Sequence, residues 1–216
     1  MHAVARGKEP ARLKKIRAKL TPKWVQFYQH KKGDQPSDSR WREFQPELSR
    51  AFFCNCGYCE ETCSGEVEHF RPKSRFPARV YKWSNWILAC HTCNHKKATL
   101  WPRGGYVDPC AKSPSAKPEA HFAFDTKTGE IVAKPSLPPS RHGKAAQMIG
   151  DLGLNDYYHL KKRIQWLMAV KTAVAGDDPN DPGHVGFIRY VISRERELSS
   201  ITRAFLRECG YPVAND

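Results

Sequence analysis

The chain lacks any long hydrophobic run. No segment of its 216 residues approaches the roughly 18 to 20 apolar residues that a spanning helix needs, which excludes a helical membrane protein. The N-terminal stretch MHAVARGKEPARLKK has no apolar core of the kind found in secretory signals, so a cytoplasmic location is expected. Internal repeats and low-complexity tracts are missing too, which excludes a repeat array. Negative charge is scarce. Asp and Glu number 22 against 36 Lys and Arg, for a net charge of +14 and a pI near 9.5. That balance points to a polyanionic partner, with nucleic acid the first candidate and a basic but unrelated enzyme the alternative.

Apolar residues make up 40% and charged residues 27%, with a mean hydropathy of −0.67. The length suits one compact unit, or one small domain with helical additions. The charge is uneven: residues 1–50 hold 13 basic and 5 acidic side chains, whereas 151–216 hold 9 of each. The excess therefore lies in the first three-quarters of the chain. The basic face of Lys14, Lys15, Arg17 and Lys19 is read as a solvated helix face before it is read as a phosphate contact.

Residues 1–53 read as a basic helical region. Pro10 suits the start of ARLKKIRAKL, Thr21 and Pro22 predict a second helix over KWVQFYQH, residues 33–39 predict a break, and Pro46 opens ELSRAFF. Residues 54–110 are dense in Cys, His, Trp, Asn and Pro, with only short strands such as EVEHF and WILAC. Residues 111–150 predict a β-hairpin, HFAFD and EIVA around TKTG, followed by a Pro-rich connection. Residues 151–216 predict two helices. The first, capped by Asn155 or Asp156, runs to about Ala175 with Leu160, Ile164, Leu167, Lys171 and Val174 on one face; DDPNDPG breaks it. The second runs from about His184 to Cys209, turns Phe187, Val191, Ile192, Leu198, Ile201 and Phe205 inward, and is stopped by Gly210 and Pro212. The fold class expected is α+β: a mostly helical chain around a metal-stapled core, with an added hairpin.

Eight cysteines without an export signal argue against disulfides and for metal. Cys56-Gly-Tyr-Cys59 and Cys90-His-Thr-Cys93 are identical CxxC pairs, and each can present two thiolates to one tetrahedral Zn²⁺. Two pairs close a structural Cys₄ site. Cys54 could compete for the ion; Cys63, Cys110 and Cys209 read as free thiols, with Cys209 buried as a small hydrophobe.

Between the pairs lie Glu68-His69-Phe-Arg71-Pro72-Lys73 and Trp83-Ser-Asn85-Trp86, and Asn94-His95-Lys96-Lys97 follow the second. This constellation resembles the HNH nucleases, whose ββα-metal site joins a carboxylate–histidine pair on a strand, a middle Asn in the loop, and an Asn or His on the helix. The stretches EVEHFRPKS, WSNWILACHTCNHKK, LWP, YVDP, HFAFDTKTGEI and IGDLGLNDYYHLKKRI extend the likeness over residues 50–165. There the chain resembles the HNH subunit of Septu-type antiphage defence systems and of retron-associated relatives. For residues 170–216 no family resemblance is claimed.

The resemblance implies His69 as general base, Glu68 and Asn94 as ligands of a catalytic Mg²⁺ or Mn²⁺, and Asn85 as the residue that orients base and loop. His95 is the alternative to Asn94 and would favour a softer metal; His91 is a weaker candidate. Arg71, Lys73, Lys96 and Lys97 become candidates for phosphate contacts. On a regular strand Glu68 and His69 point to opposite faces, so one site can use both only where the strand ends or bends, as Pro72 allows. Taken singly, each residue also has an ordinary structural use, such as a surface His–Glu pair or a turn Asn.

The function expected is metal-dependent hydrolysis of nucleic acid, DNA ahead of RNA, as the nuclease effector of a defence complex with an ATPase subunit. The alternatives are a non-catalytic zinc-stapled nucleic-acid-binding or scaffold module and a stand-alone restriction-like nuclease. Ile201, Phe205 and Leu206 serve either the chain's own core or a partner interface.

Overall fold

The computed structural model describes residues 1–175 and 182–213. Most of the break expected at DDPNDPG lies outside the described residues. The architecture is α+β, with two small antiparallel sheets among helices. No helix among the described residues is long and apolar enough to cross a membrane.

Helix α1 spans Ala11–Tyr28 and buries Leu13, Ile16, Leu20 and Trp24. It runs straight through Pro22, where two helices were expected. An interior proline removes one backbone hydrogen bond, at a cost of about 3 kcal/mol. The buried stripe on either side of Pro22 keeps the helix whole, and the Thr21 hydroxyl caps nothing. Helix α2, Gln45–Ala51, starts at Pro46 as expected.

Strands β1, Glu66–His69, and β2, Trp86–Ala89, pair antiparallel in the register His69 to Trp86 and Glu66 to Ala89. Helix α3, His91–Lys97, follows β2 directly and completes a ββα unit. A second hairpin, β3 (Phe122–Phe124) and β4 (Ile131–Ala133), lies where the TKTG turn placed it.

Helix α4, Pro139–Asp151, occupies part of the segment read as a Pro-rich connection. Pro138-Pro139 starts a helix here, as an N-terminal proline can, and Ala145 and Met148 bury against the core. Helix α5, Tyr157–Val174, begins as expected but buries His159, Arg163, Leu167 and Val170. Ile164, expected inward, is exposed, because the polar partners of His159 and Arg163 rotate the helix onto a different face. Asn155 caps nothing; its amide pairs both backbone groups of Ile131 on β4.

The single C-terminal helix expected over 184–209 is two, α6 (Pro182–Val191) and α7 (Ser199–Glu208). The chain bends at Leu198, φ +51°, because its N–H donates to the Glu60 carbonyl at 3.1 Å. Cys209 is exposed rather than buried, since α7 ends at Glu208 before another turn can reach the core.

The described residues form two cores. The first joins α1, α2, both strands of the ββα unit and α4; the second joins α5, α6 and α7. Phe124 on β3 packs against both.

Candidate active site

The two CxxC pairs meet. Cys56 and Cys59 sit in a tight knuckle whose Gly57 N–H donates to Leu88 of β2; a Cβ at Gly57 would lie 2.8 Å from Ile87 and Phe52. Cys90 is the N-cap of α3, its sulfur accepting the Cys93 N–H at 3.4 Å. All four sulfurs lie within 4.8 Å of one another. A zinc ion about 2.3 Å from each of four tetrahedral thiolates separates the sulfurs by roughly 3.8 Å. The Cys59 and Cys90 sulfurs are 3.8 Å apart, so the donor set and its size both fit zinc. A zinc held by all four would keep no free coordination position, which fits a structural site.

A layer around the quartet was not legible in the sequence. His159 of α5 is fully buried, with Nε2 3.9 Å from Cys93 Sγ and Nδ1 on Glu61. Lys162 lies 3.7 Å from the other oxygen of Glu61. Cys59, Glu61 and His159 form a second group with donor atoms within 4.8 Å. The C-terminal helices are thus anchored on the knuckle.

On β1 the two-residue period turns Glu66 and Glu68 toward α3, and His69 the other way. Glu68 is buried. Its carboxylate accepts from Lys97 Nζ at 2.5 Å and from the Tyr58 hydroxyl at 2.5 Å, while Lys97 also donates to the His69 carbonyl at 3.0 Å. Burial, then the Glu68 charge, drives the Tyr58 hydroxyl well above its usual range. Lys97 has no exposed surface, so it clamps Glu68 and is withdrawn from the set of phosphate contacts.

His69 points into the aromatic core, edge-on to Trp41 at 5.0 Å and to Trp86 at 6.4 Å. Its Nε2 lies 2.9 Å from the Val80 carbonyl. A carbonyl only accepts, so Nε2 carries the hydrogen and Nδ1 keeps its lone pair. Burial, then the nearby Lys73 charge, lowers the imidazole to about 3, against the weaker opposing effect of the Val80 bond. The ring is neutral at pH 7.

Asn85 is buried. Its side chain accepts from Arg71 N at 2.9 Å and donates to the carbonyls of Arg71 (3.1 Å) and Arg79 (3.2 Å), closing the loop between β1 and β2. It orients the loop and does not line the cleft.

The cleft itself encloses about 670 Å³ and is lined by Glu66, Glu68, His69, Lys73 and Asn94, among others. Glu66 was missed. It accepts from the Asn94 amide, and its other oxygen lies 3.1 Å from His91 Nδ1. Its signal was the E-x-E spacing, which puts both carboxylates on one strand face. His91 stacks on His95 at 5.9 Å, and both rings are exposed outside the cleft.

The four basic candidates part company. Lys73 lines the cleft with its ammonium 4.6 Å from the Trp41 ring and 5.3 Å from Trp24; burial, then Arg42, lowers its pKa. Arg71 lies over Phe76 and Trp101 and borders a different cavity. Lys96 is ion-paired with Asp156 at the start of α5.

The family model described as HNH endonuclease matches residues 56–99, a stretch that starts at the first zinc-pair cysteine and ends at the cleft's Thr99. The Septu protein PtuB of Bacillus thuringiensis is 32% identical over 101 residues, covering 44% of this chain and 36% of that protein. The chain thus aligns with little more than a third of its relative. Residues 56–99 thus match the HNH endonuclease family model, in a chain that is similar over 101 residues to the Septu protein PtuB.

Proposed function

We propose that the chain is a metal-dependent endonuclease that hydrolyses nucleic-acid phosphodiester bonds. One observation carries the reading: the Val80 carbonyl fixes the His69 tautomer, leaving Nδ1 its lone pair, and His69 lines a cleft that also holds carboxylate and amide oxygens. His69 Nδ1 takes the proton of the attacking water. Asn85 keeps the loop closed and Val80 in place. Lys73, the basic candidate on the cleft wall, attracts the phosphate.

A bound divalent cation would stabilise charge on the phosphate and leaving oxygen. Hard oxygen donors of this kind suit Mg²⁺ or Mn²⁺, with water completing the shell. Lys97 occupies one oxygen of Glu68, so Glu66 and Asn94 are the residues best placed to hold the ion, with Glu68 as the buried carboxylate behind them. DNA is the first substrate to test. The likeness to Septu-type systems supports a role as defence effector beside an ATPase subunit, which co-purification from cells expressing both would check.

The test is cleavage of plasmid DNA and of RNA with Mg²⁺ or Mn²⁺. His69→Ala is expected to lower the rate by about 10²- to 10⁴-fold with zinc content unchanged. Equal cleavage by the variant removes His69 from the chemistry. The Lys97–Glu68 pair, which neutralises one catalytic carboxylate, favours the second reading, a zinc-stapled binding module. That reading predicts salt-sensitive binding without cleavage.

A further inference from the structure

A larger cleft lies elsewhere on the molecule. It encloses about 1040 Å³, shares no lining residue with the active-site cleft, and is walled by residues 3–7, Glu9, Arg17, residues 82–84, residues 110–112, Lys117 and Arg194. Its charge is uncompensated. Arg6 is paired with Asp108, Arg17 with Glu9 and Arg194 with Glu119. Lys82, Lys112 and Lys117 have no carboxylate partner among the described residues, which leaves three positive charges facing one concavity.

Val4 and Trp83 add apolar surface to the lining. Three lysines without carboxylate partners beside the apolar surfaces of Val4 and Trp83 match a ligand with phosphates at one end and a flat heterocycle at the other.

We propose that this cleft binds a nucleoside phosphate, either a free nucleotide or a residue of a nucleic-acid strand. The ligand would press on Lys82, Trp83 and Ser84. These residues join Val80, which sets the His69 tautomer, to Asn85, which closes the loop. The site therefore sits where occupancy bears on the catalytic base without touching it. The proposal does not rest on the nuclease reading, because binding is measured without cleavage.

The experiment uses the full zinc-loaded chain with no added divalent cation. Fluorescent ATP and labelled hexathymidylate are titrated, and hydrogen exchange maps the contact. One probe is expected to protect segments 3–9, 82–84 and 110–117, and which probe does so names the source. The exposed changes Lys82→Gln and Lys112→Gln, combined with Lys117→Gln, are expected to weaken that binding at least tenfold. They should also flatten its salt dependence by about two to three ions. Protection of neither probe at these segments, or unchanged affinity in the triple variant, overturns the proposal.

Discussion

The two cores are built from different side chains. The first packs Trp24, Trp41, Phe44, Tyr58, Tyr81 and Trp86 around the ββα unit and the cysteine quartet. The second is mostly aliphatic: Leu167, Val170, Val191, Leu198, Ile201 and Leu206. Between them the seam is polar, and it runs through the zinc knuckle. Glu60 accepts from His2 N at 2.7 Å and from the Ser200 hydroxyl at 2.6 Å, while its carbonyl takes the Leu198 N–H. The Asn55 amide donates to the Glu195 carbonyl at 3.0 Å, and Glu61 holds His159. The cysteine knuckle in one core thus serves as the docking ground for the other.

The largest break of this arrangement is Cys90→Ser. Structural zinc in small domains contributes on the order of 10 to 16 kcal/mol to folding. The variant is expected to lose bound zinc and its cooperative unfolding transition, as read by metal quantification and thermal melting. Retention of a sharp transition would show that the aromatic core holds without the staple.

Glu60→Gln comes next. It removes a buried charge whose partners stay behind, at an expected cost of about 2 to 4 kcal/mol in denaturant unfolding. Burial alone would raise the Glu60 carboxyl, but the terminal ammonium, His2 and Ser200 outweigh it and hold it well below its usual range. A depressed folded-state pKa adds stability above the unfolded value near 4.5, and that stability disappears as pH falls toward the folded value. Wild type should therefore lose stability on acidification below about pH 4.5 more steeply than the variant.

His159→Ala sharpens the comparison from the zinc side. Loss of a partner to a metal-bound thiolate is expected to speed zinc transfer to a chelator by about 10- to 100-fold. It should also loosen α5, read as faster proteolysis within residues 157–174. An unchanged transfer rate would separate the quartet from the C-terminal layer. Lys96→Ala is the smallest change. Its pair with Asp156 also ties α3 to α5, but both side chains are about half exposed, so less than about 1 kcal/mol should be lost in thermal unfolding.

Much of the site was legible because its signals are local. CxxC spacing needs only one turn of chain to present two sulfurs, and EVEHF and WILAC read as short strands from the sequence. Less legible were features decided by a distant neighbour. Pro22 reads as a helix start, yet packing of Leu13, Ile16, Leu20 and Trp24 carries α1 through it. The break at Leu198 depends on a carbonyl 138 positions away. Ile164 fits a helical apolar stripe but faces solvent, because His159 and Arg163 find their polar partners on the other face.

The sequence by itself determined that the four cysteines of the two CxxC pairs would meet and that His69, Asn85 and Asn94 would belong to one small unit, since short chain spacings limit where those side chains can go. Tertiary structure alone decided how they are used. Packing α3 over β1 buried Lys97 on Glu68 and left Glu66 at the open cleft, and packing α5 on the knuckle brought His159 to the cysteines. Burial and pairing set the chemistry of a charged group, and both depend on elements far along the chain.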